Sequence, residues 1–293
     1  MKSDREILLC IIHFGDPNLA IKAIESIKRG TLVPDIGVVS TQEDMERLPY
    51  REVLKILEDE NNGYSSRLNV AAQFAIDKGY KYVIFSNNDV ILRDDTIEKL
   101  YSFVGENPDA IAGPVILRED GRVESAGIRF NLLSGRHYNI FSGRDVSDID
   151  RSVLVSDAIA GTFMMMRTDI LKRIRFDEKY SFYFEDVDFC LRARQNNVKS
   201  VVLRDARIVH IGRSCIKRLD MSGVAYMVTQ NHLRTFEKHT VLKSGIIRYF
   251  IKKGIVGMNV LYFLLRVKGG SGALRGILDG ERMLAQEETE SRV

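Results

Sequence analysis

The stretch ILLCIIHFGDPNLAIKAIESIKRGTLVPDIGVVS, residues 7–40, decides the fold. Ile7 to Phe14 is an apolar run of strand length. Asn18 to Arg29 then places Leu19, Ala23 and Ile27 at helical spacing, and Ile36 to Val39 is a second short strand. Strand, helix and strand in immediate succession make one βαβ unit. Downstream the alternation continues through Glu52 to Leu57, the alanine-rich Leu68 to Asp77, Tyr80 to Phe85 and Thr96 to Val104. This pattern predicts an α/β, Rossmann-like fold, a mostly parallel central sheet flanked by helices. From about Ala110 to Val155 the pattern changes to short strands separated by glycine turns such as Asp120-Gly121 and Ser134-Gly135, which reads as a β-rich insertion.

Ligands of such sheets sit beyond the carboxyl ends of the strands. Gly15-Asp16, Ser40-Thr41 and Ser86-Asn87-Asn88-Asp89 are therefore the polar residues to weigh. No GxGxxG fingerprint and no GxxxxGK[ST] loop follows any of these strands, which counts against dinucleotide oxidoreductases and P-loop NTPases.

Composition sets the outer bounds. The 293 residues are 45% hydrophobic and 28% charged, enough apolar material for a core and no case for disorder. Cys10, Cys190 and Cys215 are odd in number and far apart, which argues against a disulfide framework or a CxxC-type zinc or redox site and favours a reducing compartment. The start, MKSDREILLCIIHF, lacks the layout of a signal peptide. No run reaches the roughly 18 apolar residues of a spanning helix; the nearest, Gly254 to Leu265, is shorter and contains Asn259. The net charge of +3 conceals a division: Lys238 to Leu278 holds eight basic residues and no acidic one, leaving 35 basic against 40 acidic residues elsewhere.

Three segments carry candidate chemistry. In Tyr82 to Asp89 a buried strand ends on two amides and a carboxylate. Asp89 is either an oxygen ligand for a hard cation or part of an Asx-type turn leading to a helix capped near Asp94 or Asp95. In Tyr183 to Arg194, Val187, Cys190, Leu191 and Arg194 have helical spacing, so Glu185 and Asp186 fall at a helix N-terminus. They can cap that helix, which lowers a carboxylate's pKa. Alternatively, one of them is raised by its neighbours and serves as a general base. His210, in Ile208 to Arg213, is either a hydrogen-bonded core histidine or a metal ligand. The second reading requires the fold to bring it to Asp89.

In their order along the chain these segments resemble family 2 glycosyltransferases of the A-type (GT-A) fold, in particular the rhamnosyltransferase-like branch. The resemblance runs from Ile7 to about His239. It rests on Glu60-Asn61-Asn62-Gly63-Tyr64 with Asn69, on Ser86-Asn87-Asn88-Asp89, and on Gly113-Pro114 and Asp120-Gly121 with Ala126-Gly127. Ala160-Gly161-Thr162 with Arg167, Phe176-Asp177-Glu178, Tyr183 to Arg192, and Val209-His210 complete it. It implies a nucleotide-diphospho-sugar transferase domain over residues 1–240, with a nucleotide-sugar-binding half at 1–109 and an acceptor-side half at 110–240, then a basic helical extension at 241–293.

Carried over by residue, the resemblance implies that Asp89 and His210 hold Mn²⁺ or Mg²⁺, and that Asp186 is the base with Glu185 beside it. It also implies that Phe14, Ser40, Asn61, Asn69, Asn87, Asn88, Gly161 and Thr162 bind the donor. The implied reaction inverts the anomeric carbon in one displacement, moving a sugar such as rhamnose from its nucleotide diphosphate to a glycan or lipid-linked acceptor in cell-surface polysaccharide or glycolipid synthesis. Three departures favour a rival, a non-catalytic nucleotide-sugar-binding or scaffold protein. Asn87 replaces the first carboxylate of the family's metal motif, Ser40 stands where the family carries Asp, and His13 and Gly15 replace Thr and Asn.

In the basic tail Ile247, Phe250, Ile251, Ile255 and Met258 recur at helical spacing, with Arg248, Lys252 and Lys253 on other faces. This is either a helix that packs on the catalytic domain with a solvated basic side, or a peripheral membrane contact through residues 242–268. The expected location is cytoplasmic, with a peripheral position at the cytoplasmic membrane face. Nucleic-acid binding is not expected, because the basic residues lack an aromatic-interleaved platform.

Overall fold

Helix α1 (Pro17–Lys28) forms where the sequence offers both a cap and an apolar face. The Asp16 carboxylate accepts the Asn18 N–H at 3.0 Å, and Pro17 sits in the first turn, where its missing N–H leaves no bond unmade. Ala20, Ala23, Ile24 and Ile27 are buried. They join a core that includes Leu9 and Ile11 of β1 (Ile7–Ile12) and Val38 of β2 (Asp35–Ser40). The computed structural model describes residues 6–50, 52–57, 63–211, 221–266 and 273–290.

One sheet organises the larger part of the chain. β1 pairs in parallel with β2 on one side and with β4 (Tyr82–Asn87) on the other, and β3 (Leu54–Leu57) extends β2 in parallel. Beyond β4, β11 (Phe163–Arg167) lies antiparallel between β4 and β6 (Ala110–Leu117). β12 (Lys199–His210) runs parallel to β6, and β10 (Val153–Ser156) lies antiparallel at that edge. Two short strands, β5 (Val90–Leu92) and β7 (Val123–Ser125), add antiparallel to the ends of β12 and β6. Strands β1 to β4, β6 and β12 thus point one way, which makes the sheet mixed but mostly parallel. Because β1 has β2 on one flank and β4 on the other, the connections diverge there and open a crevice at the carboxyl ends of all three. The shorter helices α2 (Gln42–Glu46) and α5 (Thr168–Arg173), together with α3 (Tyr64–Asp77), α4 (Thr96–Glu106) and α6 (Glu185–Gln195), complete this part. A separate ribbon pairs β8 (Ile128–Phe130) with β9 (His137–Asn139).

Two elements differ from the sequence reading. Ala110–Leu117, grouped there with a β-rich insertion, is a central strand that is buried almost throughout. Pro114 lies within it, and proline cannot donate to a ladder. Here the pairing steps from Leu203↔Pro114 to Arg207↔Val115, so β12 bulges where the donor is missing. His210 ends a strand of 12 residues, not a short isolated one.

The chain divides into two compact units. The first comprises Met1–Arg129, Tyr138–Lys179 and Glu185–Ser214, and the second Phe130–His137, Tyr180–Phe184 and Cys215–Val293. Besides the tail, the second takes in α7 (Met221–His239), which packs with α8 (Gly245–Arg266) and α9 (Ala273–Glu290) around Val224, Ala225, Phe263 and Ile277. Helix α9 approaches the α7 backbone closely because it presents Gly276 and Gly280. A methyl group at Gly276 would run into the Ser222 carbonyl, and one at Gly280 would lie 2.7 Å from that of Tyr226.

Helix α8 reverses the expected orientation. Ile255, Asn259 and Phe263 are buried, and Arg248 and Lys252 lie on the same side, 2.7 and 3.7 Å from the Glu237 carboxylate. Of the expected basic side Arg248 and Lys252 are thus half-buried while Lys253 stays exposed, and of the apolar set Ile255 is buried while Ile247, Phe250 and Met258 face out.

Candidate active site

Sheet register explains the first cluster. β5 pairs antiparallel with the end of β12, His210 opposite Val90, and the Ile211 N–H donates to the Asp89 carbonyl at 2.9 Å. Residues 121 positions apart in sequence therefore meet, with His210 Nε2 3.2 Å from Asp89 Oδ1. On the other side of the ring His210 Nδ1 lies 3.0 Å from Glu124 Oε1, brought there by β7 pairing with β6 beside β12. Burial disfavours charge on His210, but the hydrogen bonds to Asp89 and Glu124 outweigh it and raise its pKa to about 10.

The donor set fits a divalent cation. One carboxylate and one imidazole suit Mn²⁺, and the Glu124 carboxylate on the far ring nitrogen would orient the imidazole if it held a cation. Two protein donors also match a cation that takes its remaining ligands from diphosphate oxygens and water. Among the described residues no group of three or more His, Cys, Asp or Glu side chains is arranged to hold a metal ion by itself.

The second cluster lies on the same rim, because β11 pairs antiparallel with β4 and brings Gly161-Thr162 beside Asn87. The Asn87 N–H donates to the Thr162 carbonyl at 2.9 Å, and the Tyr64 hydroxyl lies 2.7 Å from Asn87 Oδ1 and 3.1 Å from the Gly161 carbonyl. The Gly161 N–H in turn donates to Asp186 Oδ2 at 2.7 Å, and the Val187 N–H to Asp186 Oδ1 at 2.7 Å. Asp186 thus stands at the N-terminus of α6, joined to the metal-motif loop through Gly161, Tyr64 and Asn87. Directly before α6, Tyr183 and Phe184 both hold left-handed φ angles, 68° and 67°, which non-glycine residues adopt only under constraint.

Glu185 and Asp186 titrate as a pair. Burial raises both. Glu185 is pushed further by the Asp186 charge, whereas backbone hydrogen bonds pull Asp186 back down. Of the two, Glu185 is the one pushed toward the neutral acid, and Asp186 is the one whose backbone hydrogen bonds favour the charged form. Glu185 Oε2 is buried and has no hydrogen-bond partner among the described residues.

The rim near β1 contains groups that the motif reading passed over. Asn88 Nδ2 donates to His13 Nδ1 at 2.9 Å and to the Phe14 carbonyl at 3.0 Å. Burial lowers the His13 pKa to about 4, so the ring is neutral, and the Asn88 contact places its proton on Nε2. The Arg67 guanidinium is almost completely buried, donates to the His13 carbonyl, and lies 3.6 Å from the centre of the Phe14 ring, which also stacks with Tyr64. Arg67 and Glu124 carry no local signal, since a charged residue within a helix or strand pattern reads as solvent-facing. Of the residues expected to touch the donor, Phe14, Asn87, Asn88, Gly161 and Thr162 gather here. Asn61 lies outside the described residues. The Ser40 hydroxyl donates to the His13 carbonyl at 3.1 Å. Asn69 is a brace: its amide donates to the Phe176 carbonyl and to Glu178, and its Oδ1 accepts the Phe176 N–H.

A sheet whose carboxyl edge joins an Asp–His pair to a carboxylate pair at a helix start is the architecture of A-type glycosyltransferases. Among solved structures, GalNAc-T7 with UDP, GalNAc and Mn²⁺ superposes at a TM-score of 0.61 with 14% identity, covering 79% of this chain and 47% of that one. Residues 1–349 of S. aureus TarS superpose at 0.53 with 17% identity, covering 94% and 80%. The family model described as "Glycosyltransferase like family 2" matches residues 32–236, and the chain belongs to that family. Curated relatives include the rhamnosyltransferase WbbL of Escherichia coli K12, 27% identical over 44% of this chain and 53% of its own length. The dTDP-rhamnosyl transferase RfbF of Shigella flexneri is 24% identical over 54% and 52%, and the low-salt glycan biosynthesis hexosyltransferase Agl10 of Haloferax volcanii is 24% identical over 47% and 45%. The chain spans about half the length of the curated relatives it matches.

Proposed function

We propose that this protein is an inverting, metal-dependent glycosyltransferase that moves a hexosyl group, rhamnose being the first candidate, from a nucleotide diphosphate to an acceptor hydroxyl. The observation that carries the reading is the link from Asp186 through Gly161, Tyr64 and Asn87 to the loop of Asp89, beside His210; it supports a proton acceptor and a cation site on one rim. Asp89 and His210 are the residues that would hold the cation, with Glu124 orienting the imidazole. When bound, the cation offsets charge growing on the departing diphosphate.

The Asp186 oxygens accept one backbone N–H each and keep further lone pairs, so the carboxylate is fixed in place and still able to take the acceptor's proton. Glu185, pushed toward its neutral form by burial and by the Asp186 charge, is the acid partner of that base. Asn87, Asn88 and Phe14 line the donor side. A glycan or lipid-linked acceptor and a membrane contact through residues 242–268, of which 267 and 268 lie outside the described residues, belong to the same proposal. The names of the rhamnosyl and hexosyl transferase relatives, and the Mn²⁺ and UDP in the GalNAc-T7 structure, support it.

The test is a thermal-shift screen of nucleotide sugars with and without Mn²⁺ or Mg²⁺, dTDP-rhamnose first, followed by an assay for nucleoside diphosphate release. At 100 Kd a bound donor stabilises the native state by about 2.7 kcal/mol. A donor shift without any transfer or hydrolysis would favour the scaffold reading, and no shift with any nucleotide sugar would remove both.

A further inference from the structure

The outward face of α8 is apolar for its whole length. Ile246, Ile247, Phe250, Met258, Leu261, Leu264 and Leu265 are exposed, Ile246 at 74%, Phe250 at 67% and Leu265 at 71%. At about 100° per residue these side chains fall within an arc of about 120° along a helix about 33 Å long. Gly254 and Gly257 lie in the same arc, and a methyl group at either would meet nothing within 4 Å. Helices of soluble proteins turn such a stripe inward; here the opposite side, with Ile255, Asn259 and Phe263, is the buried one. No charged residue falls inside the arc. A continuous exposed apolar surface of this size marks an interaction site.

What flanks the stripe identifies its occupant. Tyr249 and Tyr262, 54% and 57% exposed, stand on its two borders, where an amphipathic ring suits a lipid headgroup layer. Lys243 precedes the helix and is exposed, Lys253 lies on one border, where it pairs with Glu281 at 2.7 Å and stays 49% exposed, and α8 itself contains no acidic residue. No helix among the described residues is long and apolar enough to cross a membrane. A second copy of the chain is disfavoured by charge. Parallel pairing of two α8 stripes would set Lys243 and Lys253 each against itself, and antiparallel pairing about the stripe's midpoint would leave the two Lys253 side chains within about two turns of each other.

We propose that α8 lies in the plane of an anionic bilayer, with Phe250, Leu261 and Leu265 inserted among the acyl chains, Tyr249 and Tyr262 at headgroup depth, and Lys243 and Lys253 on the phosphates. This rests on the membrane contact proposed above and sharpens it to one helix, one face and one orientation.

The full chain is sedimented with phosphatidylcholine vesicles, alone or with about one third phosphatidylglycerol. The wild type is expected to pellet with the anionic vesicles, less so at high salt. Phe250→Asp/Leu261→Asp is expected to weaken this about tenfold or more. Both positions are exposed, so its melting temperature and donor-induced thermal shift are expected to match wild type. If that variant binds as wild type while Lys243→Ala/Lys253→Ala does not, the membrane contact stands and the inserted stripe is refuted. If the wild type binds neither vesicle, both fail. A wild-type dimer that Phe250→Asp/Leu261→Asp turns into monomers, without vesicle binding, would assign the stripe to a second copy and overturn the proposal.

Discussion

Replacing Asp186 by Asn changes a proton acceptor into an amide of the same shape, and the structure sets the size of each consequence. Both carboxylate oxygens accept backbone N–H groups, from Gly161 and Val187, each at 2.7 Å. An amide has one oxygen, so in either orientation its NH₂ faces an N–H, and one buried donor loses its partner at about 1–3 kcal/mol. Removing negative charge from the start of α6 costs about 0.3–1 kcal/mol more. Against this stands relief of the repulsion that raises the Glu185 pKa. The net is a loss of about 1–3 kcal/mol, a drop of roughly 3–10 °C in melting temperature for a domain of this size. Turnover is expected to fall by about 10² to 10⁴, the range for a missing general base. Donor affinity is expected to hold within about twofold, since the Asp89–His210 pair is untouched. Nucleoside diphosphate release, donor calorimetry and thermal melting read these separately. A folded variant turning over within about tenfold of wild type would refute Asp186 as the base, and an unchanged melting temperature would refute the hydrogen-bond accounting.

Glu185→Gln mimics the neutral acid, so turnover is expected to stay within about tenfold. Because the folded pKa of Glu185 is raised, its contribution to stability is complete below its ordinary 4.5 and is lost as pH rises toward the raised value, by about 1.4 kcal/mol per pH unit. The Gln variant lacks that loss, and urea melts at pH 5 and pH 8 should show its advantage growing with pH; parallel profiles would contradict a neutral Glu185. Asp89→Ala is expected to weaken metal-dependent donor binding at least about tenfold by calorimetry with Mn²⁺, and an unchanged metal requirement would remove Asp89 from the site. Asn69→Ala is expected to lower stability by about 1–3 kcal/mol through the orphaned Phe176 N–H while leaving donor affinity unchanged; a donor defect without destabilisation would restore it as a contact residue. Gly276→Ala forces α9 off the α7 backbone and is expected to cost at least about 1–3 kcal/mol in thermal melts, against little change for Ala at the open Gly254.

Local patterns in the chain determined most of the elements. The apolar run at Ile7 and the spacing of Leu19, Ala23 and Ile27 act over a few residues, so β1 and α1 were readable, as was the start of α6 at Glu185. The motifs named Asp89, Asp186 and His210 one by one. Only tertiary structure decided their company. His210 meets Asp89 through the antiparallel register of β5 against β12, and Asp186 reaches Asn87 through Gly161 because β11 pairs with β4. Register between strands far apart in sequence is set by the packing of a whole sheet face, which no local window contains. The same reason hid Glu124 and Arg67, whose roles come from strands and helices remote from them. It also hid the orientation of α8, whose helical period was legible while the side turned inward depended on where Glu237 of α7 waited for Arg248. Periodicity shows that a helix has two faces. Which of them is buried depends on the surfaces the rest of the fold presents to it.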